Sequence, residues 1–101
     1  MRAALLFGKE DLRLRDVPVP AIGSGDMLLT VKTAAVCGTD IRMYKNGFKG
    51  VSENSPLILG HELSGIIEKI GQAVAGYAAG MRVIVAPNMG CGICDMCVSG
   101  N

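Results

Sequence analysis

The chain has 101 residues, 50% of them apolar and only 4% aromatic, which is enough for one small domain with a largely aliphatic core. Its formal net charge is +1, from ten basic and nine acidic residues without a run of like charge. This balance argues against the strongly basic surface with which proteins bind nucleic acids or acidic lipids, so we expect neither partner.

The first third of the sequence predicts β-strands. Residues 2–7 are a short apolar run that ends at a turn-prone segment, and residues 12–17 alternate apolar and charged side chains. Two prolines then interrupt regular pairing. After a glycine-rich loop at 21–26, residues 27–36 predict a longer strand.

The remainder predicts one short helix and further strands. The helix is expected over residues 40–46, capped by Thr39 or Asp40 and ended by Gly47. Residues 57–71 predict a strand that enters and leaves a bend, and residues 81–87 a last strand. Many short strands joined by glycine-rich turns favour a mainly β fold, a barrel or a sandwich, over a helical bundle.

The amino terminus lacks the features of a targeting segment. Its apolar stretch at 3–7 is too short for a signal peptide, and charged residues follow at once. No window approaches the length of a membrane span. We therefore expect a cytoplasmic protein, in which four cysteines serve metal binding or catalysis rather than disulfides. Two disulfides in a secreted domain are the alternative.

Three of the cysteines recur at every third position near the end of the chain: Cys91, Cys94 and Cys97. This spacing lets a tight turn present several thiolates to one soft ion, and Gly90 and Gly92 supply backbone freedom for the turn. An iron–sulfur cluster is less favoured than zinc, because the ferredoxin pattern needs a fourth cysteine where Asn101 stands. Three ordinary cysteines on a loop are the other alternative.

A second set of candidate residues lies upstream. Cys37, Thr39 and Asp40 stand in the segment CGTD, and His61 and Glu62 stand in the segment GHE. Taken alone, the cysteine is typical of a buried apolar residue, and the histidine of a solvated or satisfied one. The surrounding pattern G-H-E-x₂-G-x₅-G-x₂-V is more specific.

These three motifs, in this order, resemble the zinc-dependent medium-chain alcohol dehydrogenases, which include the polyol and threonine dehydrogenases. The resemblance covers essentially the whole chain. It implies that residues 1–101 are the N-terminal part of a GroES-like catalytic domain. The expected fold is a partial GroES-like β-barrel with one short helix and a cysteine-rich zinc loop.

The resemblance also implies roles for the upstream residues. Cys37 and His61 would be ligands of a catalytic zinc, with Glu62 beside that ion and able to bind it transiently. Asp40 would hydrogen-bond the histidine ring, and Thr39 would pass on the proton of the bound alcohol. Zinc would act as a Lewis acid while hydride leaves for NAD or NADP.

Cys91, Cys94 and Cys97 would bind a separate structural zinc, whose fourth cysteine in the family lies beyond the position of Asn101. The chain would then be a fragment of a dehydrogenase that oxidises a small alcohol or polyol. The parent is expected to be a homo-oligomer, a dimer or tetramer, and the fragment to self-associate. No G-x-G-x-x-G follows a predicted strand, so the nucleotide-binding domain is expected outside these residues.

Two positions depart from the family pattern. Arg42 stands where many relatives carry a histidine that ends the proton relay, which implies a shorter relay here. Met81 replaces the aspartate of a turn and is expected to cost a surface hydrogen bond. The alternative to a dehydrogenase is a stand-alone zinc-binding barrel module without catalysis. Such a module does not need the open site that Cys37, His61 and Glu62 would form.

Overall fold

The computed structural model describes residues 1–100. Within that range the elements follow in the order β1 (Arg2–Gly8), β2 (Asp11–Asp16), β3 (Met27–Ala35), α1 (Gly38–Asn46), β4 (Leu57–Ile58), β5 (Glu62–Ile70), β6 (Arg82–Val85) and α2 (Asp95–Ser99). The mainly β fold is confirmed. The single predicted helix was an undercount, because α2 spans only five residues, includes Cys97 and shows no helical periodicity in the sequence.

The strands of the described residues form two antiparallel three-stranded sheets, in the orders β2-β1-β4 and β3-β5-β6. Residues 57–71 were expected to form one bent strand, but they divide between the two sheets. The division falls at Gly60, whose φ of 109° is a conformation that side chains other than glycine rarely adopt. The chain therefore changes sheets immediately before His61.

The pairing of β3 with β5 brings the two upstream motifs together. Ala35, the last residue of β3, lies opposite Glu62, the first residue of β5. Cys37 follows Ala35 by two positions, and His61 precedes Glu62 directly. Two segments that are distant in sequence thus meet at one end of the second sheet.

The core is small for a chain of this length. Leu6 and Ile67 are fully buried, and Leu5 nearly so. The accessible surface is 7650 Å², against about 5,400 Å² for a compact monomer of this mass. The radius of gyration is 16.0 Å, against about 13 Å for a compact domain. Across residues 1–100 the two sheets do not close into a barrel, in agreement with the partial barrel predicted.

Arg13 ties the first sheet to the loop that precedes β4. Its guanidinium binds both carboxylate oxygens of Asp11 and both of Glu53, and it stacks over the ring of Phe7 at 4.3 Å. The hydrogen bond to Asp11, followed by that to Glu53, raises the pKa of Arg13, and the bond from Arg13 lowers the pKa of Asp11. Because these groups face solvent, the network orders the loop more than it stabilises the fold.

The turn before β6 retains a side-chain hydrogen bond despite Met81. The sulfur of Met81 accepts the N–H of Ala78 at 3.3 Å. A thioether is a weaker acceptor than a carboxylate. The expected loss of a surface hydrogen bond is therefore only partial.

No helix within residues 1–100 combines the length and the hydrophobicity needed to cross a lipid bilayer.

The glycines that follow the GHE motif are required by close backbone contacts. A Cβ on Gly65 would lie 2.5 Å from the carbonyl oxygen of Thr30 on β3, and one on Gly71 would overlap the carbonyl oxygens of Gly23 and Ser24. These neighbours are backbone atoms, which cannot move away as the end of a flexible side chain can. Glycine is therefore needed at both positions because two backbone segments pack closely there.

We expect Gly71→Ala to lower the free energy of unfolding by about 1–3 kcal/mol, because the added methyl group forces the backbone apart. Urea denaturation followed by circular dichroism measures the change. Gly25→Ala is the matched control, since a Cβ there meets nothing within 4 Å. Equal stability of the two variants would show that the contact at Gly71 is not rigid.

Candidate metal centres

The first candidate centre comprises Cys37, His61 and Glu62. One ligand atom of each residue lies within 4.8 Å of those of the other two. Cys37 and His61 are half-buried, whereas Glu62 is exposed. A thiolate, an imidazole nitrogen and a carboxylate oxygen form a donor set that suits zinc, and an exposed member leaves one side of the site accessible. The residues present therefore fit the ion that the sequence predicted.

Asp40 links two of these residues. It is buried, with 7% of its surface exposed. One carboxylate oxygen accepts the backbone N–H of Cys37 at 3.0 Å, and the other lies 3.5 Å from Nδ1 of His61. A histidine whose Nδ1 faces a carboxylate presents Nε2 to a metal. The same side chain thus holds the backbone of one candidate ligand and orients the ring of the other.

The contact between Asp40 and Cys37 follows from helix capping. Cys37 is the N-cap of α1, and Asp40 occupies the third position of that helix. An acidic side chain at this position reaches back to the N-cap amide, which would otherwise lack a partner. Sequence analysis expected Thr39 or Asp40 to cap this helix and Asp40 to contact the histidine, but the N-cap is Cys37, because the helix begins at Gly38. The Cys-x₂-Asp spacing at a helix start was the signal for its second contact.

Thr39 and Arg42 also lie on α1, and both are exposed. Thr39 is in the first turn of the helix, two residues after Cys37. Asp40 adjoins an apolar groove. The groove is lined by Leu12, Val36, Ile41, Tyr44 and Leu59. Thr39 is thus an exposed residue, whereas Asp40 next to it is buried.

The second candidate centre lies in residues 87–100, which we call the cysteine lobe. The sulfur atoms of Cys91, Cys94 and Cys97 lie within 4.8 Å of one another, and those of Cys91 and Cys97 are 3.8 Å apart. Hydrogen bonds from the backbone amides of Ile93 and Cys94 lower the pKa of the Cys91 thiol to about 7. A thiolate is therefore available near neutral pH, as a metal ligand must be.

Two glycines of the cysteine lobe, Gly90 and Gly92, act differently. Gly92 has a φ of 76°, so it supplies the backbone freedom predicted from the sequence. A Cβ on Gly90 would lie 2.8 Å from the sulfur of Cys97. Gly90 therefore contributes by its small size, which lets the backbone approach the thiol group.

The cysteine lobe has few apolar contacts to hold it in shape. Helix α2 starts at Cys94 as its N-cap and ends at Gly100, whose φ of 77° is left-handed. Large apolar side chains of the lobe are exposed: Met89, Ile93, Met96 and Val98. A five-residue helix is too short to be stable by itself. The three thiols are thus the groups best placed to hold the lobe together around an ion. Asn101 stands where the ferredoxin pattern has its fourth cysteine, and it lies outside the described residues.

Comparison with known proteins identifies the family. The model of the alcohol dehydrogenase GroES-like domain matches residues 23–101. The chain is 33% identical to sorbitol dehydrogenase of Bombyx mori over 97% of its own length and 28% of the relative's. It is 39% identical to L-threonine 3-dehydrogenase of Rhizobium etli over 99% of its length and 30% of the relative's.

A solved structure agrees with the sequence relatives. Zinc dependent alcohol dehydrogenase 2 from Streptococcus pneumonia superposes with a TM-score of 0.79 at 32% identity, over 99% of this chain and 28% of that one. The chain thus spans somewhat under a third of the length of these proteins. With the family model matching well over half of its residues, this chain belongs to the alcohol dehydrogenase GroES-like domain family.

Proposed function

We propose that this chain is the N-terminal part of the catalytic domain of a zinc-dependent dehydrogenase. The enzyme oxidises a small alcohol or polyol to a ketone or aldehyde, with NAD or NADP as hydride acceptor. The observation that carries the proposal is the convergence of Cys37, His61 and Glu62, with Asp40 behind two of them. Dehydrogenases among the relatives support this assignment.

Each residue of the first centre has a separate task. Zinc held there supplies Lewis acidity, which lowers the pKa of a bound hydroxyl group. Cys37 and His61 hold the ion, and Asp40 keeps the histidine ring in one tautomer and orientation. The exposed carboxylate of Glu62 is free to join the ligand set or leave it. Thr39, an exposed residue two positions after Cys37, accepts the substrate proton and passes it on.

The cysteine lobe has a structural role in this proposal. Cys91, Cys94 and Cys97 bind a second zinc that orders the segment and takes no part in the reaction. The nicotinamide cofactor binds outside residues 1–101, since no glycine-rich phosphate-binding motif follows a strand in this sequence. The 101-residue chain alone is therefore expected to show no turnover.

A chimera tests the proposal. The chain is joined to the downstream segments of the Rhizobium etli L-threonine 3-dehydrogenase, and reduction of NAD and NADP is followed with a panel of alcohols and polyols. We expect turnover that Cys37→Ser reduces by about a thousandfold, the equivalent of several kcal/mol of lost charge stabilisation. Glu53→Gln is the control, because that carboxylate binds Arg13 on the surface. Turnover insensitive to Cys37→Ser would contradict the proposal, as would turnover by the 101-residue chain alone.

The stand-alone metal-binding module is the second candidate function. The three clustered thiols of the cysteine lobe favour it, because thiolates of this kind bind structural metal without catalysis. A purely structural module gives no reason for Asp40 to orient His61 beside an exposed carboxylate. Metal loading of the two centres separates the candidates, since only the dehydrogenase requires an ion at Cys37 and His61.

We also expect the chain to self-associate, as an enzyme of homo-oligomeric type would. Strand β6 lies at the edge of its sheet, and Ile84 on that strand is 85% exposed. Open sheet edges that carry apolar side chains pair with other chains. Sedimentation velocity over a range of concentrations measures the association.

Ile84→Lys is expected to shift the sedimentation profile toward the monomer, because a lysine at a strand edge opposes pairing. Met89→Lys adds the same charge at an equally open position off the strands, so it controls for net charge. A wild-type chain that stays monomeric at the highest concentration would count against the expectation.

A further inference from the structure

The face of α1 that carries Thr39 is positively charged. Thr39, Arg42 and Lys45 follow one another at intervals of three residues, and all three are exposed. Side chains three positions apart lie on the same face of a helix, with about 5–6 Å between their Cβ atoms. The one acidic residue of this helix, Asp40, is buried. The row that starts at Thr39 therefore gains a positive charge at each of the next two turns.

The other side of α1 has a different environment. Asp40 and Tyr44 line the apolar groove together with Leu12 and Leu59, and Arg42 is not part of that lining. With 3.6 residues per turn, Arg42 lies about 200° around the helix axis from Asp40. Arg42 thus stands on the side of Thr39, away from the groove.

The chemistry of Arg42 suits the binding of an anion. Ion pairs within residues 1–100 involve Arg13 and His61, so Arg42 is not bound to a carboxylate there. A guanidinium stays protonated at neutral pH, so it cannot accept the proton that Thr39 passes on. Its planar fork of N–H donors instead binds a carboxylate or a phosphate through two parallel hydrogen bonds.

We propose that Arg42 binds an anionic group of the substrate, so that the enzyme oxidises a hydroxyl compound that also carries a carboxylate or a phosphate. This inference rests on the proposed function, which places the reacting hydroxyl group at Thr39. A rise of 1.5 Å per residue puts Arg42 about 4.5 Å along the helix axis from Thr39, and Lys45 about 9 Å. The anionic group should therefore lie only a few bonds from the hydroxyl group that is oxidised.

The experiment uses the 101-residue chain loaded with zinc and three probes that share a vicinal diol: glycerol, glycerate and glycerol 3-phosphate. Titrations followed by NMR monitor the amides of α1 and the side-chain Nε–H of Arg42. We expect at least one of the two anions to bind about tenfold more tightly than glycerol, and Arg42→Gln to remove that difference. Comparison of glycerate with glycerol 3-phosphate distinguishes a carboxylate site from a phosphate site.

Lys45→Gln is the matched control, because it removes one positive charge from the same face of α1, one turn further from Thr39. The preference for the anion should survive this change. An equal loss in Arg42→Gln and Lys45→Gln would show only a general effect of charge and would overturn the proposal. Equal binding of glycerol and both anions to the unchanged chain would overturn it as well. Circular dichroism of each variant verifies that α1 is intact.

The same titrations on Cys37→Ser separate this inference from the proposed function. If the first centre holds the hydroxyl group through zinc, Cys37→Ser should weaken the binding of all three probes alike and leave their ratio unchanged. Glycerol binding that does not respond to Cys37→Ser would defeat the proposed function. A preference for the anion that still depends on Arg42 would, in that case, leave the anion site standing.

Discussion

Asp40→Ala is expected to weaken zinc binding at the first centre by about 10- to 100-fold, the usual effect of removing the group that orients a ligand. The carboxylate of Asp40 contacts both Cys37 and His61, so its loss frees the backbone of one ligand and the ring of the other. Loss of the capping contact should also lower stability by about 1 kcal/mol. Zinc competition with a chromophoric chelator, together with urea denaturation, measures both effects.

Two further variants sharpen this prediction. Asp40→Asn keeps an oxygen that can accept the N–H of Cys37 but removes the negative charge beside His61, so it should retain the stability and lose zinc affinity. Asp26→Ala is the remote control, because Asp26 accepts the N–H of Gly23 at 2.9 Å in a turn of the same spacing. A zinc affinity that is equal in Asp40→Ala and Asp26→Ala would show that Asp40 does not position the ligands.

Removal of metal is expected to unfold the cysteine lobe while both sheets persist. Helix α2 spans five residues, and the lobe exposes its large apolar side chains, so in the proposed zinc-bound form metal–thiolate bonds would supply its folding energy. In isolated zinc-finger peptides, the binding of structural zinc contributes about 10–16 kcal/mol to folding. We take that value as an upper limit for the cysteine lobe. Amide NMR spectra with and without a strong chelator measure the change.

In those spectra, the amides of residues 91–100 should lose their dispersion on chelation, whereas those of β1 and β2 should not shift. Cys97→Ser should reproduce the effect in the presence of zinc, because Cys97 is the most shielded thiol of the three. A cysteine lobe that keeps its dispersed spectrum without metal would contradict the prediction. It would also remove the reason for a structural zinc.

The strands were predictable as short apolar or alternating runs, although the alternation in β2 does not mark a buried face, since Leu12 and Leu14 are 46% and 66% exposed. Residues 12–17 alternate apolar and charged side chains, and β2 spans Asp11–Asp16. The change of sheets at Gly60 was not predictable from the same pattern. Apolar residues on both sides of that glycine look like one strand, and only the pairing of Leu57 and Ile58 with β1 shows that β4 belongs to the other sheet.

The candidate ligand residues were recognisable as types, but their arrangement was not. Spacing alone indicated that Cys91, Cys94 and Cys97 could share an ion. In contrast, Cys37 and His61 are far apart in sequence, and their proximity depends on the register that places Ala35 opposite Glu62. The resemblance to a family supplied that pairing before the structure did. The roles of Thr39 and of the individual ligands stay predictions.

Cobalt(II) loading tests the central claim most directly, since its visible spectrum reports both the number of thiolate ligands and their geometry. We predict two bound ions per chain with distinct tetrahedral spectra. Cys37→Ser or His61→Ala should abolish the spectrum with few thiolates, and Cys91→Ser the thiolate-rich one. A single thiolate-rich ion, unaffected by changes at Cys37 and His61, would contradict the account and leave only a structural metal module.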